Sequence, residues 1–238
     1  MDMAKRTNRR VVKAKSRVLV VGDLHCPVMH DGYIDHLRTI ARKYKTDRTV
    51  LIGDVVDLHG ISYHEKDPDL YSAGSELGMA IKQVQAMNKA FPEAVVMTGN
   101  HDDLPARQAR TLGMPSAIVR SPEQFLETKG WKWLPRMSTM KIDGVKYAHG
   151  DRGRQGGFAS YHNAITEGCS YVEGHKHSLG GVWWHANEER LIFGMNVGSG
   201  VDRNAVAMLY GRGLSKKPIL GCGVVIEGTH AYFEPMEL

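Results

Sequence analysis

The sequence predicts an α/β protein whose parallel strands carry polar groups at their C-terminal ends. Three observations support this. Short runs of aliphatic and β-branched residues each end in Gly-Asp or Gly-Asn. Segments with helical spacing of apolar residues separate those runs. The second half changes to short strand-like runs divided by Gly-rich turns.

In order along the chain, residues 17–22 (RVLVVG) read as a buried strand that runs into Asp23. Residues 33–44 place Ile34, Leu37, Ile40 and Ala41 on one helical face. Residues 49–53 (TVLIG) form a second buried strand, ending at Asp54. Residues 76–91 predict a second helix with Leu77, Ile81, Val84 and Met87 on its face, stopped by Pro92. Residues 94–99 (AVVMTG) form a third strand, ending at Asn100. This βαβαβ order implies parallel strands, and such sheets place ligands beyond the carboxyl ends of their strands. Residues 104–130 read as helical and irregular, interrupted by Pro105, Pro115 and Pro122. Runs at 137–142, 145–149, 170–174, 181–185, 190–194 and 218–227 predict a second, more antiparallel sheet, with Asp143-Gly144 as one of its turns.

Charge divides the chain unevenly. Residues 1–17 hold seven basic residues against Asp2 alone, so they carry +6 and leave −1 for residues 18–238 out of a total of +5. This pattern predicts a flexible basic arm, residues 1–17, ahead of one domain, residues 18–238. Such an arm attracts phosphate backbones by counterion release; a solvated tail without a specific partner reads equally well. No apolar run is long enough to span a membrane, and the basic start lacks the apolar stretch of a secretory signal, so a cytoplasmic protein is expected. Cys26, Cys169 and Cys222 show no CxxC spacing, agree with a reducing compartment and read as small buried side chains.

Five polar clusters follow strand-like runs: Asp23-Leu-His25, Gly53-Asp54-Val-Val-Asp57, Gly99-Asn100-His101-Asp102, His149-Gly150-Asp151 and Gly174-His175-Lys-His177. Taken singly, Asp-x-His is more often a surface turn, and His-Gly carries no information. Together, at successive strand ends, they supply carboxylate, amide and imidazole donors of the kind that first-row transition ions favour. Asp54 has two oxygens and could serve two ions.

In this order the blocks resemble those of the calcineurin-like metallophosphoesterase superfamily. The likeness runs from about residue 18 to 177 and extends to Asn196-Val-Gly-Ser199. It implies a four-layer α-β-β-α sandwich of two mixed sheets flanked by helices. It also implies two divalent metal ions: Mn²⁺ is expected, and Fe, Zn, Ni or Mg would suit the same donors. Asp23, His25, Asp54 and His177 would surround one ion, and Asp54, Asn100, His149 and His175 the other. The implied chemistry is hydrolysis of a phosphate ester by in-line attack of a metal-bridging hydroxide. His101 would then assist the leaving group, with Asp57 orienting it.

The protein serine/threonine phosphatase branch carries an arginine directly after its second-block aspartate, where this chain has Leu58. That departure leaves phosphodiesterases, nucleases, nucleotide phosphatases and small phosphomonoesterases. The expected activity is that of a phosphodiesterase or nuclease on DNA, RNA or nucleotides, with Arg152 and Arg154 as candidate substrate contacts. The rival readings are a phosphomonoesterase for a small molecule or phosphoprotein, and a non-catalytic nucleic-acid-binding protein. Arg203, Arg212, Lys216 and Lys217 form a further basic set, and His59 and His64 read as loop histidines. Trp183 and Trp184 are adjacent in one strand, so at most one is free to stack a base, and core packing is the expected role of both.

Overall fold

The computed structural model describes residues 16–63, 70–204 and 217–237. Expectations for residues 1–15, His64, Arg212 and Lys216 lie outside the described residues.

Strands β1 (Arg17–Val21), β2 (Arg48–Leu51), β3 (Ala94–Met97) and β4 (Trp131–Leu134) pair in parallel, each with the next. In the second sheet, β5 (Met140–Ile142), β6 (Val145–Ala148), β7 (Tyr171–Glu173), β8 (Gly180–Ala186) and β9 (Leu191–Val197) take the order β5-β6-β7-β9-β8. β10 (Gly221–Ile226) and β11 (His230–Pro235) return to the first sheet, giving β11-β10-β1-β2-β3-β4 with antiparallel pairing on the β1 side.

The second sheet is mixed and, as expected, more antiparallel than the first: β6–β7 and β7–β9 are parallel, while β5–β6 and the long β8–β9 ladder are antiparallel. The parallel step from β6 to β7 requires a crossover, which helix α5 (Ala159–Glu167) supplies. One expectation needs correction. The run at 218–227 joins the first sheet, not the second, with Val18 opposite Val225. A run that is apolar on both faces gives no sign of the edge it will pair with.

The layers follow from the period of two along each strand. In β1, Leu19 and Val21 face outward onto Leu37 and Ile40 of α1 (Tyr33–Tyr44) and onto Ala80, Val84 and Met87 of α2 (Ala73–Ala90), in one apolar cluster. Val18 and Val20 face the other way, onto Tyr147, Val172, Phe193 and Met195 of the second sheet. On the far side of that sheet, Ala164 of α5 packs with Ala148, Tyr171 and Ile192. Strands covered on both faces must be apolar throughout, which is why β1 and β2 read as continuous aliphatic runs. The result is two mixed sheets flanked by helices, in the order α-β-β-α.

Helix α2 begins a turn earlier than its apolar spacing suggests, because the Ser72 hydroxyl accepts the Ser75 amide at 3.3 Å. The proline-interrupted stretch folds as α3 (Leu104–Thr111) and α4 (Pro122–Leu126). No helix among the described residues is long and apolar enough to cross a membrane. Cys26 and Cys222 are buried in the helix-side core and Cys169 is half-buried; all three are free thiols.

Candidate metal centre

The loops leaving β1, β2 and β3 meet those leaving β6 and β7. The first two are tied by the amides of Leu24 and His25, which donate to the Asp54 carbonyl at 3.0 and 2.9 Å. The second and third are tied by Asp102. One of its carboxylate oxygens accepts from Val55 N (2.9 Å) and Val56 N (3.2 Å), the other from Gly99 N (2.8 Å). Burial, then the nearby Asp54 charge, push the Asp102 carboxyl up to about 7 against the pull of those amides. Gly99 is needed at this junction: a Cβ there would press on the Asp54 backbone nitrogen and come within 2.8 Å of its Cγ. His25, Asp54 and His175 all adopt left-handed backbone, with φ of 47°, 47° and 65°. Turning the chain this way aims each side chain into the cleft.

Asp23, His25, Asp54 and His177 form one cluster whose donor atoms lie within 4.8 Å of one another. Nε2 of His25 is 3.0 Å from Nε2 of His177, which is 3.1 Å from Asp23 Oδ2. Nδ1 of His25 lies 2.7 Å from Asp57 Oδ1, so its proton is assigned there and Nε2 turns a lone pair inward. Asp54, His149 and His175 form the second cluster. Here Nδ1 of His149 donates to the Ile52 carbonyl at 3.1 Å. Its Nε2 is 3.0 Å from Asn100 Oδ1 and 3.2 Å from Asp54 Oδ2. That same Asp54 oxygen is 3.6 Å from Nε2 of His25, so it stands between the clusters. Asp23 Oδ1 is buried with no hydrogen-bond partner.

Acceptors thus converge from both sides on buried carboxylates. Such a set is costly without a positive charge, so the residues fit bound cations. Burial opposes charge on His149, but the Asp54 carboxylate outweighs it and pushes the ring up to about 10. Asp54 is held well below the usual carboxylate range: burial resists, and His149 overcomes it. Burial lowers His175, with His149 adding to the effect.

His101 stands beside these clusters. Its amide donates to Asp54 Oδ1 at 2.8 Å, and its ring meets His25 edge-on at 4.5 Å. Burial works against a charged His101 ring, but the Asp54 and Asp57 carboxylates raise its pKa. His25, Asp57 and His101 also group closely. That group is filled by two Nδ1 protons, directed at the Asp57 carboxylate and carbonyl.

The structure brings together the seven residues expected as ligands, and it places His101 and Asp57 against them. Arg152 and Arg154 are exposed on the loop after His149, outside both clusters. Sequence reasoning assigned no role to Asp102, nor to Arg136, which forms an ion pair with Asp151 two residues after His149. Both act through segments distant in sequence, so no spacing pattern marks them. Contrary to the expected core packing of both tryptophans, β8 is an edge strand. Trp183 is half-buried, edge-on to Phe158, and Trp184 is exposed, edge-on to Phe193.

The family model for calcineurin-like phosphoesterases matches residues 16–199. Several solved structures are similar. Yfce, a phosphoesterase from E. coli, is 12% identical over 87% of each chain, with a TM-score of 0.40. Vacuolar Protein Sorting 29 from Cryptosporidium parvum is 12% identical over 94% of this chain and 98% of that one, with a TM-score of 0.43. A metallophosphoesterase from Sphaerobacter thermophilus is 14% identical over 93% and 88%, with a TM-score of 0.40. No curated protein matches. The family match covers every strand end that carries the clusters, and the chain therefore belongs to the calcineurin-like phosphoesterase family, whose members use divalent metal ions to hydrolyse phosphate esters.

Proposed function

We propose that the protein is a two-metal phosphodiesterase or nuclease acting on nucleic acid or nucleotides. The observation that carries the two-metal part is the position of Asp54 Oδ2, faced by Nε2 of His25 on one side and Nε2 of His149 on the other. Asp23, His25, Asp54 and His177 would hold one ion, and Asp54, Asn100, His149 and His175 the other, with Mn²⁺ the expected metal. Bound there, the pair would supply Lewis acidity and a nucleophile from water at neutral pH.

The chain's own residues do the remainder. Asp57 fixes the tautomer of His25, so that Nε2 faces inward. His101, its Nδ1 proton committed to Asp57, presents Nε2 as the group that hands a proton to the leaving oxygen. Arg152 and Arg154, exposed on the loop that follows His149, would contact flanking phosphates of a polymer.

Two features support the diester reading. Leu58 replaces the arginine of the protein phosphatase branch, and residues 1–17 concentrate a charge of +6. Hydrolysis of bis-p-nitrophenyl phosphate against p-nitrophenyl phosphate, both with Mn²⁺, tests it. A diester preference is expected, followed by cleavage of DNA, RNA or a cyclic nucleotide; a marked monoester preference would make the protein a phosphatase. No bound transition metal and no hydrolysis after Mn²⁺ addition would leave a non-catalytic binding protein. Arg17 opens β1, so the arm is tested by deleting residues 1–15. Weaker DNA binding with a flatter salt dependence is expected.

A further inference from the structure

Beside the two donor clusters lies a buried polar network that the proposed chemistry does not use. Its centre is Glu173, fully buried at the end of β7. The Glu173 carboxylate accepts from Lys176 Nζ at 3.0 Å, Asn196 Nδ2 at 3.2 Å and Asn163 Nδ2 at 2.9 Å. Lys176 Nζ also donates to the Gly150 carbonyl at 2.6 Å. Asn163 Oδ1 accepts the Arg154 amide at 2.8 Å, and Asn196 Oδ1 accepts the Ser160 hydroxyl at 2.8 Å. Lys176 sits between His175 and His177, and Gly150 directly follows His149. One buried ion pair therefore joins the loop carrying His149 to the loop carrying His175 and His177, and anchors both to α5 and β9.

An ion pair between a fully buried Glu173 and a largely buried Lys176 is a weak stabiliser, since desolvation cancels most of the attraction and apolar residues of similar volume often do as well. What such a pair adds is fixed position. We propose that Glu173 and Lys176 are positioning residues for His149, His175 and His177, holding the two loops at the separation a metal pair requires. This inference rests on the two-metal reading above. Side chains that support metal ligands from outside change metal affinity about 10–100-fold when replaced.

The test is calorimetric titration of Mn²⁺ into full-length protein stripped with chelator, for wild type, Lys176→Met, Lys176→Arg and Glu173→Gln. Wild type should bind two equivalents. Lys176→Met should bind about 10–100-fold more weakly, and Lys176→Arg, which keeps the charge and its donors, should recover most of the loss. If the Lys176→Met variant does not fold, the near-isosteric Glu173→Gln carries the same expectation. Melting of the metal-free proteins separates position from stability: a variant that melts lower but binds Mn²⁺ as wild type does overturns the inference. Failure of wild type to bind Mn²⁺ would instead overturn the two-metal reading itself.

Discussion

His101 is held by the backbone of Asp57 more closely than by its carboxylate: Nδ1 is 2.6 Å from the main-chain oxygen and 3.3 Å from Oδ1. The carboxylate oxygen instead lies 2.7 Å from Nδ1 of His25. One residue thus orients two imidazoles, one expected to bind metal and one expected to move a proton.

His101→Ala should retain metal and lose turnover by roughly 10²–10⁴-fold, the usual contribution of a positioned acid. Metal analysis alongside steady-state kinetics measures both. Wild-type-like turnover in a metal-loaded variant would remove His101 from the chemistry.

Asp57→Asn should act chiefly through His25. A neutral amide oxygen accepts the Nδ1 proton more weakly than a carboxylate, so metal affinity should fall about 10–100-fold. The backbone carbonyl survives the change, so the His101 ring should stay in place. A variant with normal affinity and lost turnover would show that the Asp57 carboxylate serves His101 instead.

Gly99→Ala should damage fold and site together. The added methyl would meet the Asp54 backbone and carboxylate, which Asp102 and His101 hold in place. Urea unfolding should show a loss of about 1–3 kcal/mol, with metal binding weakened in parallel. Wild-type stability would mean that the second and third loops can separate at little cost.

Chelation should lower the melting temperature. A ligand present at a hundred times its Kd adds about 2.7 kcal/mol, or roughly 5–10 °C for a domain of this size. Differential scanning with and without Mn²⁺ reads the shift, and superimposable traces would count against a resident metal.

Glu76 gives a pH dependence away from the metal ligands. Its carboxylate accepts the amides of His59 and Gly60 at 2.7 and 2.8 Å. Burial nonetheless raises it above its ordinary 4.5, outweighing those two donors. The folded state then binds the proton more tightly than the unfolded state. The resulting penalty is fully present above the folded pKa and fades as pH falls through it toward 4.5. Relative to Glu76→Gln, wild type should gain stability in urea unfolding as pH falls from neutrality toward 4.5. An identical pH profile for the two proteins would contradict the shift.

Much of the fold was legible because apolar periodicity and burial coincide. The bounds of α1 match those expected, since Leu37 and Ile40 face the core directly. Helix α5 was hidden because its inward face includes Ser160 and Asn163, which are buried by hydrogen bonding rather than by apolar contact. β11 was hidden because an edge strand exposes alternate residues and carries no aliphatic run. At the site, the residues expected as ligands were legible because each follows a strand directly. Asp102, Arg136 and Glu173 were not, because each bonds groups brought in from other segments — the Val55 and Val56 amides, Asp151, and the Asn163 and Asn196 side chains — and such bonds leave no local pattern.

The left-handed backbone at His25, Asp54 and His175 has an engineering consequence. Side chains in that conformation cost of order 1–3 kcal/mol each, and glycine would relieve it. A thermostability screen that ignores chemistry would therefore favour glycine at these three places, with tighter folding bought by erasing the donors. Comparing the melting temperature of His175→Gly with that of His175→Ala would show how much resilience the fold gives up to keep imidazole there.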